Sequence, residues 1–180
     1  PTPTRTPTPS APTFSDIANS KFRADIEWLA AIGITSGCGD GKFCPDGLVT
    51  RAQMASFLSR AVGLPPADRD YFTDDAGNRH ESNINRLAQA GITSGCGPSR
   101  FCPSGLVTRE QMASFLVRAF ELPATSRDFF TDDADSRHQS NINRLAASGI
   151  TSGCSADRYC PSGLVTRGQM AAFLHRAFSR

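Results

Sequence analysis

Two sets of side chains in this chain could do chemistry, and each occurs three times. The first is a pair of cysteines with five residues between them: Cys38/Cys44, Cys96/Cys102 and Cys154/Cys160. The second is threonine, then arginine, then glutamine two residues on: Thr50-Arg51 with Gln53, Thr108-Arg109 with Gln111, and Thr166-Arg167 with Gln169. Paired cysteines can form a disulfide or ligate a soft metal. An arginine at the start of a helix can hold a carboxylate or a phosphate. Carboxylates recur as well, in Asp16, Asp74 and Asp132, each two residues after a phenylalanine (Phe14, Phe72, Phe130). Equivalent residues stand 58 positions apart throughout, with no insertion or deletion, so the chain is an array of one supersecondary unit whose copies bury their apolar faces against one another.

For the cysteines, an even count at fixed spacing favours disulfides, with local pairing the simplest connectivity. Residues six apart on a helix are separated by about 9 Å along its axis, beyond the roughly 4.4–6.8 Å between bridged Cα atoms. Each pair must therefore span a turn, and the intervening GDGKF, GPSRF and SADRY supply turn formers. Zinc is the competing reading, but it needs about four ligands, and no histidine stands near any pair. No metal site and no cofactor is expected. Disulfides imply an oxidising, extracytoplasmic location.

The Thr-x-x-Gln spacing is a capping box, and Val49 with Met54, Val107 with Met112 and Val165 with Met170 make a hydrophobic staple across each helix start. Met54, Phe57, Leu58, Ala61 and Val62 then share one face, as do Met112, Phe115, Leu116 and Phe120, and Met170, Phe173, Leu174 and Phe178. Upstream, a shorter helix carries Phe22, Ile26, Leu29 and Ile32. His80 and His138 stand where Phe22 does, which argues for packing. Gly33, Gly91 and Gly149 end these helices at the C′ position. Arginine as the first residue of the second helix is electrostatically misplaced. Two readings of Arg51, Arg109 and Arg167 stay open. Free amides, dipole and guanidinium could converge on a bound anion, or each arginine could pair with Asp16, Asp74 or Asp132 and join the repeats.

Bulk properties exclude several classes. A net charge of +2 and a pI near 8.5 are too mild for a nucleic-acid binder. No apolar run approaches the ~18 residues that span a bilayer. Only Lys21 and Lys42 are lysines, a bias open to a compositional reading or to selection for planar anion contacts. Residues 1–13 alternate proline with threonine or serine and read as an extended spacer. The chain opens on Pro1 without a methionine, as a mature or trimmed fragment would. A further domain is expected ahead of the spacer, and the module is expected to close the chain at Arg180. The domains are then a linker at 1–13 and repeats at 14–71, 72–129 and 130–180.

These motifs together (F-x-D, a helix ending in G-I-T-x-G, the loop Asp40-Gly41-Lys42-Phe43-Cys44-Pro45, and V-T-R-x-Q-M-A-x-F-L) resemble the S-layer homology module, in three tandem copies covering Phe14 to Arg180. The resemblance implies an all-α fold: three helix-loop-helix repeats in a pseudo-threefold arrangement, with the Thr-Arg helices as a central three-helix bundle. It implies noncovalent anchoring of a secreted protein to anionic secondary cell-wall polysaccharide in grooves between repeats, with Arg51, Arg109 and Arg167 contributing, and a backbone contribution from Gly33, Gly91 and Gly149. Asp16, Asp74 and Asp132 are carried with them as candidate ligand-binding residues. Glutamine replaces the family's glutamate at Gln53, Gln111 and Gln169, which keeps the cap and removes a charge. The cysteine pairs are a variant associated with actinobacterial members.

The function expected is thus a noncatalytic module at the cell wall or envelope, with three shallow sites acting by avidity. The alternative is a protein-binding or self-assembly module whose grooves take an acidic partner. An enzyme is not expected, because no nucleophile, base and orienting group recur together. The Asp40-Gly41 turn lacks the bidentate glutamate of a calcium loop. Neither nucleic acid nor membrane insertion is expected.

Overall fold

A computed structural model describes residues 14–180; the expected 1–13 spacer lies outside the described residues. Six α-helices are found among them: α1 (Arg23–Ala31), α2 (Arg51–Ala61), α3 (Glu81–Gln89), α4 (Arg109–Ala119), α5 (Gln139–Ala147) and α6 (Arg167–Phe178). The remaining ladder contacts are isolated bridges. The fold is all-α, as expected. None of these helices is long and apolar enough to cross a membrane.

Local chemistry sets the helix ends. In α2 the Thr50 hydroxyl accepts from the Gln53 amide at 3.2 Å while Gln53 Oε1 accepts from the Thr50 amide at 3.2 Å. The same reciprocal pair caps α4 and α6. Val49 and Met54, the staple pair, are both fully buried. The first helix of each repeat stops where Gly33, Gly91 and Gly149 take φ of 77°, 70° and 71°. The Gly33 amide then donates to Ala30 and the Ile34 amide to Leu29, closing the last turn. All three cysteine pairs are disulfides within their own loop, with Cα atoms 6.0–6.1 Å apart.

The repeats are closed into a ring rather than stacked in a line. Val49 donates to the Val165 carbonyl, Val107 to Val49, and Val165 to Val107, at 2.9–3.0 Å. From this ring of three hydrogen bonds α2, α4 and α6 set out. Each first helix packs on the long helix of the preceding repeat, α3 on α2 and α5 on α4, and α1 closes the circle on α6. One core cluster draws on all three repeats. The circular closure is reinforced on the α1–α6 side, where His175 Nδ1 lies 2.7 Å from Asp25 Oδ1 and stacks on Trp28 with centroids 4.6 Å apart.

One helix end is built against local preference. Gly63 follows α2 at φ 65°, whereas the equivalent residue after α4 is Glu121 at φ 50°. A side chain is strained in this left-handed conformation, and an acid at a helix C-terminus opposes the dipole. Glu121→Gly is expected to raise stability by about 0.5–1 kcal/mol, the left-handed strain of about 1–2 kcal/mol less glycine's larger entropy loss, read as a higher denaturation midpoint at unchanged m-value.

Candidate functional site

The three arginines do not meet an open helix start. The Arg51 amide donates to the Gly105 carbonyl at 2.8 Å, the Ala52 amide to Pro103 at 3.0 Å, and the Gln53 amide to its own cap. Arg109 and Arg167 repeat this with Gly163 and Gly47. The expected free amides are therefore absent, because the first amides of each helix point along its axis at the loop of the next repeat, and that loop's carbonyls satisfy them.

The guanidinium groups cross the same boundary. Nε of Arg51 donates to the Phe101 carbonyl, Nε of Arg109 to Tyr159 and Nε of Arg167 to Phe43, each at 2.7 Å. Each cation also lies over two rings, Arg167 at 4.6 Å from Phe43 and 5.4 Å from Phe57. All three are 6–7% exposed, and Nη2 of each has no hydrogen-bond partner. Burial pulls their pKa values below the ordinary arginine range, partly offset by Asp16 near Arg167, Asp74 near Arg51 and Asp132 near Arg109. Such a group remains a cation. The arginines do join the repeats, but through backbone carbonyls rather than by direct pairing with aspartate.

The aspartates brace the cysteine loops. Asp16 accepts the Phe43 and Cys44 amides at 2.8 Å each; Asp74 serves Phe101 and Cys102, and Asp132 serves Tyr159 and Cys160. The loop carbonyl that receives each arginine thus belongs to a residue whose amide an aspartate holds. Asp74 also lies near the sulfurs of Cys96 and Cys102, but these are bonded to each other and offer no thiolate to a metal.

Two grooves open between repeats. The first, about 420 Å³, is walled by the Thr35–Gly39 loop and α2 of repeat 1, Arg79 and His80 of repeat 2, and Arg167 of repeat 3. The second, about 710 Å³, has the equivalent walls one repeat on, with Arg137, His138 and Arg51. All three repeats contribute to each. Gly37 and Gly95 line these walls and must be glycine, since a Cβ there would run into Phe14 or Phe72 and a loop carbonyl. Gly33 and Gly91 are not among the lining residues of these two grooves.

Sequence reading missed the polar wall. In the first groove His80 Nδ1 lies 2.7 Å from Ser56 Oγ, Asn83 Nδ2 donates to Ser56 Oγ at 2.8 Å, and Arg79 Nε donates to His80 Nε2 at 3.1 Å. An Nε2 that accepts leaves the proton on Nδ1, which donates to the serine. Burial, then Arg79 and Arg60, hold the His80 pKa below the ordinary histidine value. Ser114, His138, Asn141 and Arg137 repeat the arrangement in the second groove. Between repeats 3 and 1 the same positions carry Ala172, Phe22, Asp25 and Lys21, and Phe22 packs onto Gly168 where α2 has Ala52. This joint change of serine, histidine and asparagine was the signal available in the sequence.

The Asp16 brace makes a pH prediction. Burial raises its pKa, but the Phe43 and Cys44 amides outweigh this and hold it below the usual carboxylate range. A depressed folded-state pKa gives stability that is fully present above the unfolded value, about 3.9, and is lost as pH falls through the folded one. Asn can accept from only one of the two amides as before, so Asp16→Asn is expected to cost about 1.5–3 kcal/mol at pH 7. The gap to the parent should narrow below about pH 4, as checked by denaturant unfolding across pH.

Comparison with known proteins places these features. The S-layer homology domain model matches residues 13–55, 72–113 and 130–171. An S-layer protein of Bacillus thuringiensis subsp. finitimus is 31% identical over 172 residues, covering 89% of this chain and 21% of that protein. An endoglucanase of Bacillus sp. (strain KSM-635) is 30% identical over 138 residues, covering 76% of this chain and 15% of the enzyme. Exoglucanase XynX of Acetivibrio thermocellus is 29% identical over 173 residues, 91% of this chain and 16% of the enzyme. The chain thus spans about a fifth or less of the length of these relatives.

Proposed function

Because this chain belongs to the S-layer homology domain family, we propose that it is a noncatalytic anchoring module that binds anionic secondary cell-wall polysaccharide in its inter-repeat grooves. Its relatives include S-layer proteins and polysaccharide-degrading enzymes in which the matched region is a minor part. A module that serves such different proteins supplies location rather than chemistry. The disulfides fit a cell-surface setting.

The observation that carries the reading is the burial of the groove arginines without a directly bonded carboxylate, since the nearby Asp16 and Asp74 spend their oxygens on loop amides. Arg51 and Arg167 each stand at a groove wall with Nε on a carbonyl and Nη2 without a partner. A desolvated cation in that state gains more from an incoming carboxylate than an exposed one would. Arg60 and Arg79 in the first groove, and Arg118 and Arg137 in the second, add positive charge around it. Ser56 and Asn83, or Ser114 and Asn141, offer hydroxyl and amide groups suited to sugar hydroxyls. Arg109 occupies the equivalent place toward repeat 3, beside the more apolar Phe22 wall. Asp16, Asp74 and Asp132 act in this reading by holding the loops that receive the arginines, and Gly33, Gly91 and Gly149 by ending the helices that flank them.

The test is cosedimentation of the chain with wall fragments before and after extraction of secondary polysaccharide. Arg51→Gln and Arg167→Gln are expected to weaken binding by about 10-fold or more each, the worth of a charged hydrogen bond. Since these arginines also join repeats, the exposed Arg79→Ala and Arg137→Ala should weaken binding while the far-UV spectrum and Trp28 emission stay unchanged. Binding that persists after both extraction and arginine replacement would overturn the reading in favour of a protein partner.

A further inference from the structure

Where repeat 1 buries an isoleucine, repeats 2 and 3 bury a carboxylate. Ile17 is fully buried; Asp75 and Asp133, its equivalents, are 1% and 0% exposed. None of their four side-chain oxygens has a hydrogen-bond partner. A carboxylate in that situation is strongly destabilising unless it is paired, protonated or bound to a metal. Packing does not call for an acid here, since Ile17 fills the same place in the same fold.

The surroundings of Asp75 add negative charge. Asp70 lies exposed on the segment ahead of the loop, and Glu81 opens α3. Glu81 Oε2 accepts the Gly77 amide at 2.7 Å, which keeps its carboxylate over the turn that Asp75 begins. Burial first, then Asp70 and Glu81, push the Asp75 pKa up to about 6. Asp74 is differently engaged, with both oxygens on the Phe101 and Cys102 amides. In repeat 1 the positions of Asp70, Asp75 and Glu81 are held by Pro12, Ile17 and Arg23. Repeat 1 thus lacks all three acids, repeat 2 has all three, and repeat 3 keeps two of them, Asp128 and Asp133, with Gln139 in the place of Glu81.

We propose that Asp70, Asp75 and Glu81 of repeat 2 form a binding site for a divalent cation, calcium. An all-oxygen, carboxylate-rich donor set selects a hard cation, and calcium tolerates the irregular geometry of a loop better than magnesium does. The three carboxylates do not share one coordination sphere in this structure; binding draws the exposed Asp70 inward over Asp75 and gives the orphan oxygens their partner. Repeat 3 carries a weaker version: Gln139 replaces Glu81, and Asp128 already receives amide donors from Asn143 and Gln139. Affinity should fall in the range of extracellular modules, about 0.1–1 mM. The site is independent of the anchoring reading, because no groove arginine takes part.

The experiment is calcium titration calorimetry and thermal unfolding on the full chain after chelator treatment. It compares the parent with Asp75→Ile, Asp133→Ile and the double variant, isoleucine being the residue that repeat 1 already uses. The parent should bind calcium and unfold at a higher temperature with it. Asp75→Ile should lose the tighter binding event, at least 10-fold, and the double variant should be folded by Trp28 emission yet indifferent to calcium. If the isoleucine variants do not fold, Asp75→Asn and Asp133→Asn give the same comparison at conserved shape. A parent that does not respond to about 10 mM calcium, or a double variant that responds like the parent, would overturn the proposal.

Discussion

Everything in this structure depends on backbone hydrogen bonds that run from one repeat to the next. The ring through Val49, Val107 and Val165, and the carbonyls of Gly105, Gly163 and Gly47 on the first amides of α2, α4 and α6, bind each helix start to another copy. Buried backbone groups must be paired, so a single repeat would leave its valine and the start of its long helix unsatisfied. Three copies in a circle satisfy every one of these. This distinguishes the molecule from an open solenoid, in which the end repeats face solvent and need caps.

The same closure explains why arginine tolerates the helix N-terminus. The dipole penalty is a few tenths of a kcal/mol up to about 1 kcal/mol, and against it stand a charged hydrogen bond to a carbonyl and two aromatic faces. The arginine, the aspartate-braced loop and the disulfide form one unit: the disulfide closes the loop, Asp16, Asp74 or Asp132 fixes its amides, and the carbonyl so positioned receives the guanidinium. Positive charge is left at the groove walls because no carboxylate is placed to neutralise it directly.

The grooves are not copies of one another. Two present serine, histidine and asparagine beside arginine, while the third boundary presents Phe22 against Gly168 and a His175–Asp25 pair. The α1–α6 boundary is the one where repeat 1 meets repeat 3, which does not precede it directly in sequence, and it carries the stacked Trp28 and His175 and the additional Phe178 contact. Aromatic packing there holds closed what peptide bonds connect elsewhere.

Much of the fold was legible in the sequence because its determinants are local. A threonine three residues before a glutamine, a valine before a methionine, a glycine after a helical stripe, and two cysteines across a turn each act within a few residues, so spacing alone identified capping box, staple, C′ glycine and disulfide. The partners of Arg51, Asp74 and His80 were not legible. The carbonyl that Arg51 meets belongs to Phe101, 50 residues away, and the one that Arg167 meets belongs to Phe43, 124 residues away. Whether the helix-start amides were free, and whether His80 faced the core or a groove, turned on which repeat packs against which. That is a property of ring closure, and the sequence by itself determined only the unit that closes.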